Sequence, residues 1–506
     1  MRGGLFASQF TPEAHVLKLR CHGITHRLAI AVQLTQHCPL CRLHMRRDNG
    51  LDVSIARPLT SILTKMTMKS APTCSSTTNL FQFCLMRRGV MSVRLRSMWF
   101  LGAVLFALTI TAAEIEIVGP MKAGLAEAKL AAVDQFMERQ VTDKKIAGGS
   151  VLISHQGKIG FFHTYGQRDL EGKKPMEQDT IVRLYSMTKA ITTAAALNLV
   201  DAGKIGLDDP VSKYIPSFAN LKVATPEGLR APARAMTVRD LMLHTSGLSY
   251  GDGPDALKEA FARLKPLESA NLEEMAEKLS QIPLAFDPGT SWRYSVSIDI
   301  LGRVIEVASG QNLDVFLRKT IFEPLQMSDA SFNVPPEKLA RFAANYSRSA
   351  DGLKLIDAPA NSRYGKPVTF FSGGGGLVGT ANDYLRFLTM IQNAGELDGK
   401  RILRPGTVKL MITNQLPEKA FPIRFGDQMR HGTGFGLGFS VRTENTKWDP
   451  AGHLGEYGWG GAASTHYWCS PADKLIVITL EQTMPYQWDT EFGVKQLIYD
   501  SIVAPK

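Results

Sequence analysis

The chain has 506 residues, 44% of them hydrophobic, which is ample for one large domain or two ordinary ones with a buried core. A net charge of +11 suggests a nucleic-acid or membrane surface, but of 58 basic and 47 acidic residues, 14 and 3 lie at or before Ala113, leaving 44 of each beyond it. The positive balance belongs to the N-terminal segment, so composition excludes a basic, nucleic-acid-binding main domain.

Cysteine is equally one-sided. Cys21, Cys38, Cys41, Cys74 and Cys84 precede Cys469, which stands alone in the remainder and cannot form an internal disulfide there. From Met86 the run "MRRGVMSVRLRSMWFLGAVLFALTITAAEIEIV" has a basic start, a short apolar stretch and small residues at Thr111–Ala113. That order is the pattern of a cleaved secretory signal over 86–113; the apolar stretch is short for a spanning helix, which needs about 20 residues, although an uncleaved anchor is the alternative. Residues 1–85 then read as an upstream extension, spurious or disordered, with no sustained helix or strand period. Their "HCPLCRLH" (His37–His44) lacks the second ligand pair of a zinc finger, so no metal is expected.

Residues 114–506 read as one globular unit. Ala123–Val141 has apolar residues at helical spacing, and "GGSVLISHQGKIGFFHTYG" reads as two strands around His155–Lys158. A helix containing Ser186 runs to about Ala202, with Gly203 as its stop. From about 203 to 395 helical segments such as "TVRDLMLH", "LEEMAEKLSQI", "SIDILGRVIEVAS" and "TANDYLRFLTMIQNAG" alternate with Pro/Gly loops. Strands return in "GFGLGFSVR", "STHYWCS" and "KLIVITLEQ", followed by a last helix in "TEFGVKQLIYDSI". The order predicts an α/β (α+β) fold, with an antiparallel sheet built from both chain ends, flanked by helices, and a helical subdomain inserted between them.

Three segments could carry chemistry. In "RLYSMTKA", Ser186 and Lys189 stand at i and i+3 near a helix start, on one face and in the positive field of the helix N-terminus. A serine hydroxyl needs a base within reach, and a lysine serves if burial lowers its pKa. By itself the spacing is weak, since about one S-x-x-K arises by chance in such a chain. In "PGTSWRYSVSIDILGRVIEVASG", Tyr294 precedes an amphipathic helix, either as a packing residue or as a proton-sharing group in a cleft. "GEYGWGGAAS" reads as a glycine-rich turn before a strand, either a plain hairpin or an edge whose N–H completes an oxyanion hole with the N–H of Ser186.

In this order the three segments resemble the serine β-lactamase/penicillin-binding-protein superfamily, in its class C β-lactamase-like branch and nearest to family VIII carboxylesterases. Further segments share the likeness: "GKIGLDDPVSKYIPSF", "MTVRDLMLHTSGLSYG", "YSVSIDILGRVIEVASG" and "GGGGLVGTANDYLRF", over roughly 127–503. The resemblance implies a β-lactamase/transpeptidase-like fold, Ser186 as acyl-forming nucleophile, Lys189 and Tyr294 as acid/base partners, the N–H groups of Ser186 and Ala462 as oxyanion hole, and no metal or cofactor.

Two departures bear on substrate. Where the branch carries Tyr-x-Asn, this chain has Tyr294-Ser295-Val296, and valine cannot hydrogen-bond a substrate amide. Where it carries Lys-Thr-Gly, this chain has Trp459-Gly460-Gly461, an apolar wall without the cation and hydroxyl that hold a carboxylate, as in family VIII esterases. The expected function is therefore an exported serine esterase for small acyl groups, periplasmic or secreted. The alternatives are a β-lactamase or D-amino-acid peptidase acting on β-lactams or cell-wall peptides, and an inactive binding protein on the same fold. Expected partners are small-molecule esters or amides, without nucleic acid, and with membrane contact only through an uncleaved N-terminal segment. Oligomeric state is open. No G-x-S-x-G elbow or H-E-x-x-H is present, and His244 and His453 read as structural histidines.

Overall fold

The computed structural model describes residues 115–425 and 428–503, together with the backbone of Ala29–Gln33 and Arg42–Arg46. Contacts divide the chain into two units, Met1–Thr109 and Ile110–Lys506. In the first, Ala29–Gln33 and Arg42–Arg46 pair antiparallel, Ala29 opposite Arg46. The sequence reading expected no strand here; the alternation of Arg42-Leu43-His44-Met45-Arg46 is the signal it passed over. The signal-like segment 86–113 and the side chains of His37–His44 lie outside the described residues.

In the second unit, helix α1 is Glu127–Thr142. Strands β1 (Gly148–His155) and β2 (Lys158–Asp169) form a hairpin. Its two turn residues, Gln156 and Gly157, have φ of +53° and +80°, the doubly left-handed turn whose twist matches paired strands. Lys174–Pro175 is β3. Helix α2 is Thr188–Asp201, α3 is Ser297–Ser309 and α4 is Ala381–Gln392. The late strands are β4 (Thr433–Phe435), β5 (Ser440–Arg442), β6 (Tyr457–Gly461), β7 (Thr465–Ser470) and β8 (Leu475–Glu481), and α5 is Asp489–Tyr499.

The eight strands make one antiparallel sheet in the order β4-β5-β6-β7-β8-β1-β2-β3. The chain ends meet where β8 pairs with β1, Leu475 opposite His155 through Glu481 opposite Gly149. Side chains alternate across this seam. Val151, Ile153, Leu475 and Val477 face Leu130, Val133 and Met137 of α1 and Val494 and Ile498 of α5. Leu152, Ile476 and Ile478 face the opposite core, which holds Ile191, Ala194 and Ala195 of α2 and the helical insert. Every residue of α2 from Thr188 to Leu197 is buried, as expected of a helix enclosed on all sides. This is the β-lactamase/transpeptidase-like architecture expected from the sequence.

Three local expectations are corrected. "GFGLGFSVR" is a tight reversal between β4 and β5 rather than one strand, because Gly436 approaches Met411 O so closely that an added Cβ would stand 2.0 Å from it, and Gly438 has φ +92°. In "GEYGWGGAAS" the residues Tyr457–Gly461 are themselves strand β6, and the turn falls at Ala462–Ser464. Ser186 lies in a single 3-10 turn, Tyr185–Met187, that precedes α2 rather than within the helix.

Candidate active site

The turn that carries Ser186 is strained. Tyr185 has φ +44°, a left-handed conformation that costs an aromatic residue on the order of 1–3 kcal/mol and is held by its surroundings. Its hydroxyl accepts a hydrogen bond from Asn345 Nδ2 at 3.2 Å. Strand β6 presses against the same turn. A Cβ on Gly461 would stand 2.3 Å from Leu184 O, so only glycine allows this approach, and it brings Ala462 to the Ser186 turn. No backbone carbonyl among the described residues accepts from the Ala462 N–H. Ser186, Tyr294, Trp459, Gly460, Gly461 and Ala462 line one cavity, so the residues singled out from three distant segments come together.

Lys189 is 2% exposed, one turn below Ser186. Its ammonium donates to Ser186 Oγ at 3.2 Å, to Tyr250 OH at 3.1 Å and to Gly374 O at 2.6 Å. Three donors meet three acceptors, the full complement of a protonated lysine. The ammonium also lies 4.6 Å from the centroid of the Tyr294 ring. The Tyr294 hydroxyl in turn accepts from Trp459 Nε1 at 3.4 Å.

Behind the lysine, Asp299 of α3 is 2% exposed. Its Oδ1 accepts from Ser372 Oγ at 2.5 Å and from Gly374 N at 3.0 Å. The Gly374 peptide thus joins carboxylate to ammonium, its N–H on Asp299 and its carbonyl on Lys189. A Cβ at Gly374 would stand 2.4 Å from Asp299 Oδ2, and one at Gly373 2.7 Å from Ile298 O, which explains glycine in "GGGG".

Electrostatics here differ from expectation. Burial works to lower the Lys189 pKa, as expected, but the phenols of Tyr250 and Tyr294 and the Asp299 carboxyl oppose it, and the net shift is upward. Burial raises the Tyr250 phenol against the pull of Lys189, and raises the Asp299 carboxyl likewise. The resting site holds an ammonium beside a neutral Tyr250 phenol. Tyr250 and Asp299 are the residues that sequence reasoning missed. Tyr250 sits in the quoted "HTSGLSYG", and Asp299 is the acid inside the apolar run "SIDIL".

Val296 is fully buried at the start of α3 and is not among the cavity's lining residues. His244, 1% exposed, pairs through Nδ1 with Ser295 Oγ at 3.2 Å, and burial followed by the Lys189 charge holds its pKa well below the usual value. His453 is exposed and pairs with Asp473 at 2.7 Å. Neither histidine hydrogen-bonds to Ser186.

Known proteins place this geometry. The chain is 30% identical over 400 residues to the esterase EstB of Burkholderia gladioli, covering 74% of this chain and 95% of that one. It is 30% identical over 396 residues to the lovastatin esterase of Penicillium rubens, covering 72% and 96%. Among solved structures, EstCE1, described as a hydrolase with promiscuous acyltransferase activity, superposes with a TM-score of 0.63 at 27% identity across 74% of this chain and 99% of that one. Residues 133–493, which hold Ser186, Lys189, Tyr250, Tyr294, Asp299 and Trp459–Ala462, match the family described as Beta-lactamase, and the chain belongs to that family of serine hydrolases.

Proposed function

We propose that this protein is an exported carboxylesterase that forms an acyl-enzyme on Ser186 with small acyl esters. The observation that carries the reading is the 3.2 Å contact between Lys189 Nζ and Ser186 Oγ at the floor of a cavity walled by Tyr294 and Trp459. Once the cluster around Lys189 has given one proton to solvent, Ser186 Oγ bonds to the ester carbonyl carbon and its proton passes to the Lys189–Tyr294 pair. The carbonyl oxygen becomes an oxyanion facing the N–H groups of Ser186 and Ala462. Collapse breaks the bond to the alcohol, which leaves with the proton from the pair. Water then attacks the acyl carbon by the same route in reverse, releasing the acid and restoring Ser186.

An ester is favoured over a β-lactam because Trp459 offers an indole where a cation and hydroxyl would hold a lactam carboxylate, and that indole N–H is engaged by Tyr294. Esterase relatives support the same choice. Export is supported by the order of basic, apolar and small residues from Met86 to Ala113, with translation starting at Met86 or Met91.

Hydrolysis of 4-nitrophenyl butyrate by wild type and by Ser186→Ala tests the reading. Equal inertness of the two sinks it, and nitrocefin turnover well above ester turnover moves the assignment to β-lactams. N-terminal sequencing of protein recovered from the native cell tests export, and a start before Met86 refutes it.

A further inference from the structure

A short hairpin overhangs the cavity. Ile423–Phe425 pairs with Gln428–Arg430, Ile423 opposite Arg430, and both Phe425 and Arg430 line the cavity that holds Ser186. The Arg430 guanidinium carbon lies 4.7 Å from the Phe425 ring centroid, 4.6 Å from that of Trp488 and 5.9 Å from that of Trp448. Phe425 then meets Tyr294 at 5.2 Å and Trp459 at 5.8 Å between centroids. Arg430 is therefore one aromatic ring beyond the acid/base tyrosine, in a half-buried aromatic cage.

What distinguishes Arg430 is that it has no counter-ion among the described residues. Among the described residues no carboxylate forms an ion pair with it, whereas Asp449, Glu491 and Glu456, which line the same cavity, are each held by a basic partner. Asp449 is held by Arg442 at 2.8 Å and Lys495 at 2.9 Å. Glu491 is held by His466 at 3.0 Å and by Tyr486 OH at 2.6 Å. Glu456 takes Lys495 and Tyr499. Glu491, Tyr486 and Asp449 act on Arg430 only at a distance, and burial still lowers its pKa. A guanidinium withdrawn from water without a fork-shaped acceptor leaves its donors free for one, and carboxylate is the group that fits two of them in parallel.

We propose that Arg430 is a specificity-determining residue that binds a carboxylate carried by the ester substrate, a few methylenes or one ring away from the scissile carbonyl. This rests on the esterase reading above and narrows it to esters with an anionic end. It also gives the cavity a cation on the hairpin side, where the Trp459-Gly460-Gly461 segment supplies none.

Two measurements test it. The first compares kcat/KM for neutral 4-nitrophenyl butyrate with two anionic esters, mono-4-nitrophenyl glutarate (anion on the acyl side) and 4-(butanoyloxy)benzoate (anion on the alcohol side). For Arg430→Met, which keeps a long apolar side chain between the rings, the anionic-to-neutral ratio should fall at least about tenfold for one of the anionic esters, with Arg430→Lys recovering part of it. The ester that responds identifies the half that bears the anion. A ratio unchanged for both overturns the proposal and leaves Arg430 a packing residue of its cage.

The second measurement needs no turnover. In a Ser186→Ala background, Trp448 and Trp488 fluorescence is titrated with monomethyl glutarate and with neutral dimethyl glutarate. The proposal expects saturable quenching by the monoanion that Arg430→Met weakens about tenfold or more. Equal responses to both compounds, or equal responses of both variants, overturn it. Absence of ester hydrolysis with retained, Arg430-dependent anion binding defeats the esterase reading alone.

Discussion

Lys189 Nζ lies 3.2 Å from Ser186 Oγ as a donor, not as an acceptor, because its three hydrogens already point at Ser186, Tyr250 and Gly374. In this arrangement the lysine has no lone pair for the serine proton. In the proposed mechanism the reactive form is one proton poorer, with that proton lost from the cluster of Lys189, Tyr250 and Tyr294. Activity should then depend on how readily the cluster gives up a proton, and the groups around it should tune pH dependence more than binding.

Ser186→Ala and Lys189→Met should each reduce kcat for 4-nitrophenyl butyrate by about a thousandfold or more, and the double variant by little beyond either, since the proposed nucleophile and base act as a unit. Both variants should unfold cooperatively near the wild-type temperature. Additive losses in the double variant would show that the two residues do not share a step.

Tyr250→Phe removes one of the three acceptors of the Lys189 ammonium and keeps the ring. We expect kcat to fall by about ten- to a hundredfold with KM nearly constant, the range of a positioned proton-sharing group. Tyr294→Phe should cost at least as much. A Tyr250→Phe enzyme with wild-type kcat would reduce Tyr250 to packing.

Asp299 helps to hold the proton on Lys189, because its carboxylate is among the groups that raise the lysine pKa. Asp299→Asn keeps an oxygen to accept from Ser372 and Gly374 N but removes the charge. The sign follows: without the anion the ammonium is less stable, the cluster loses its proton at lower pH, and the acid limb of kcat/KM moves down by about one pH unit. A limb that moves up, or stays, contradicts the role given to Asp299.

The legible part of this site was local or ordered along the chain. Ser186 and Lys189 are three residues apart, and Tyr294 and Trp459–Ala462 could be placed because their segments follow in family order. Tyr250 was hidden because its contact depends on how a loop after Val238–Leu243 folds back onto Lys189, 61 residues away in sequence. The direction of the lysine pKa was missed for the same reason: an apolar run after Lys189 announces burial, but not the two phenols and one carboxyl that outweigh it. Strand β6 was misread because glycine repeats signal turns, while here Gly458 and Gly461 permit close approach of Tyr467 O and Leu184 O within and beside the sheet. The β8–β1 seam was the easiest feature, since "KLIVITLEQ" and "GGSVLISH" are apolar enough to be covered on both faces.

Glu481, at the end of that seam, gives a prediction about stability. It is 1% exposed, and neither carboxylate oxygen has a hydrogen-bond partner within 3.5 Å, the Thr490 hydroxyl acting on it only weakly against burial. Burial pushes its pKa up to about 8 from an ordinary 4.5. A carboxyl raised on folding binds its proton more tightly in the folded state, so its contribution is fully present below the unfolded value and is lost as pH rises towards the folded one. Between pH 4.5 and 8 the wild-type protein should therefore lose stability on the order of 4 kcal/mol through this group, about 5 °C in Tm for a domain of this size. Glu481→Gln cannot ionise and should lack this component. The two proteins should melt close together at pH 5, with the variant higher by several degrees at pH 8 and the gap opening through pH 6–7. Parallel Tm curves across that range would mean that Glu481 is not buried as a neutral acid.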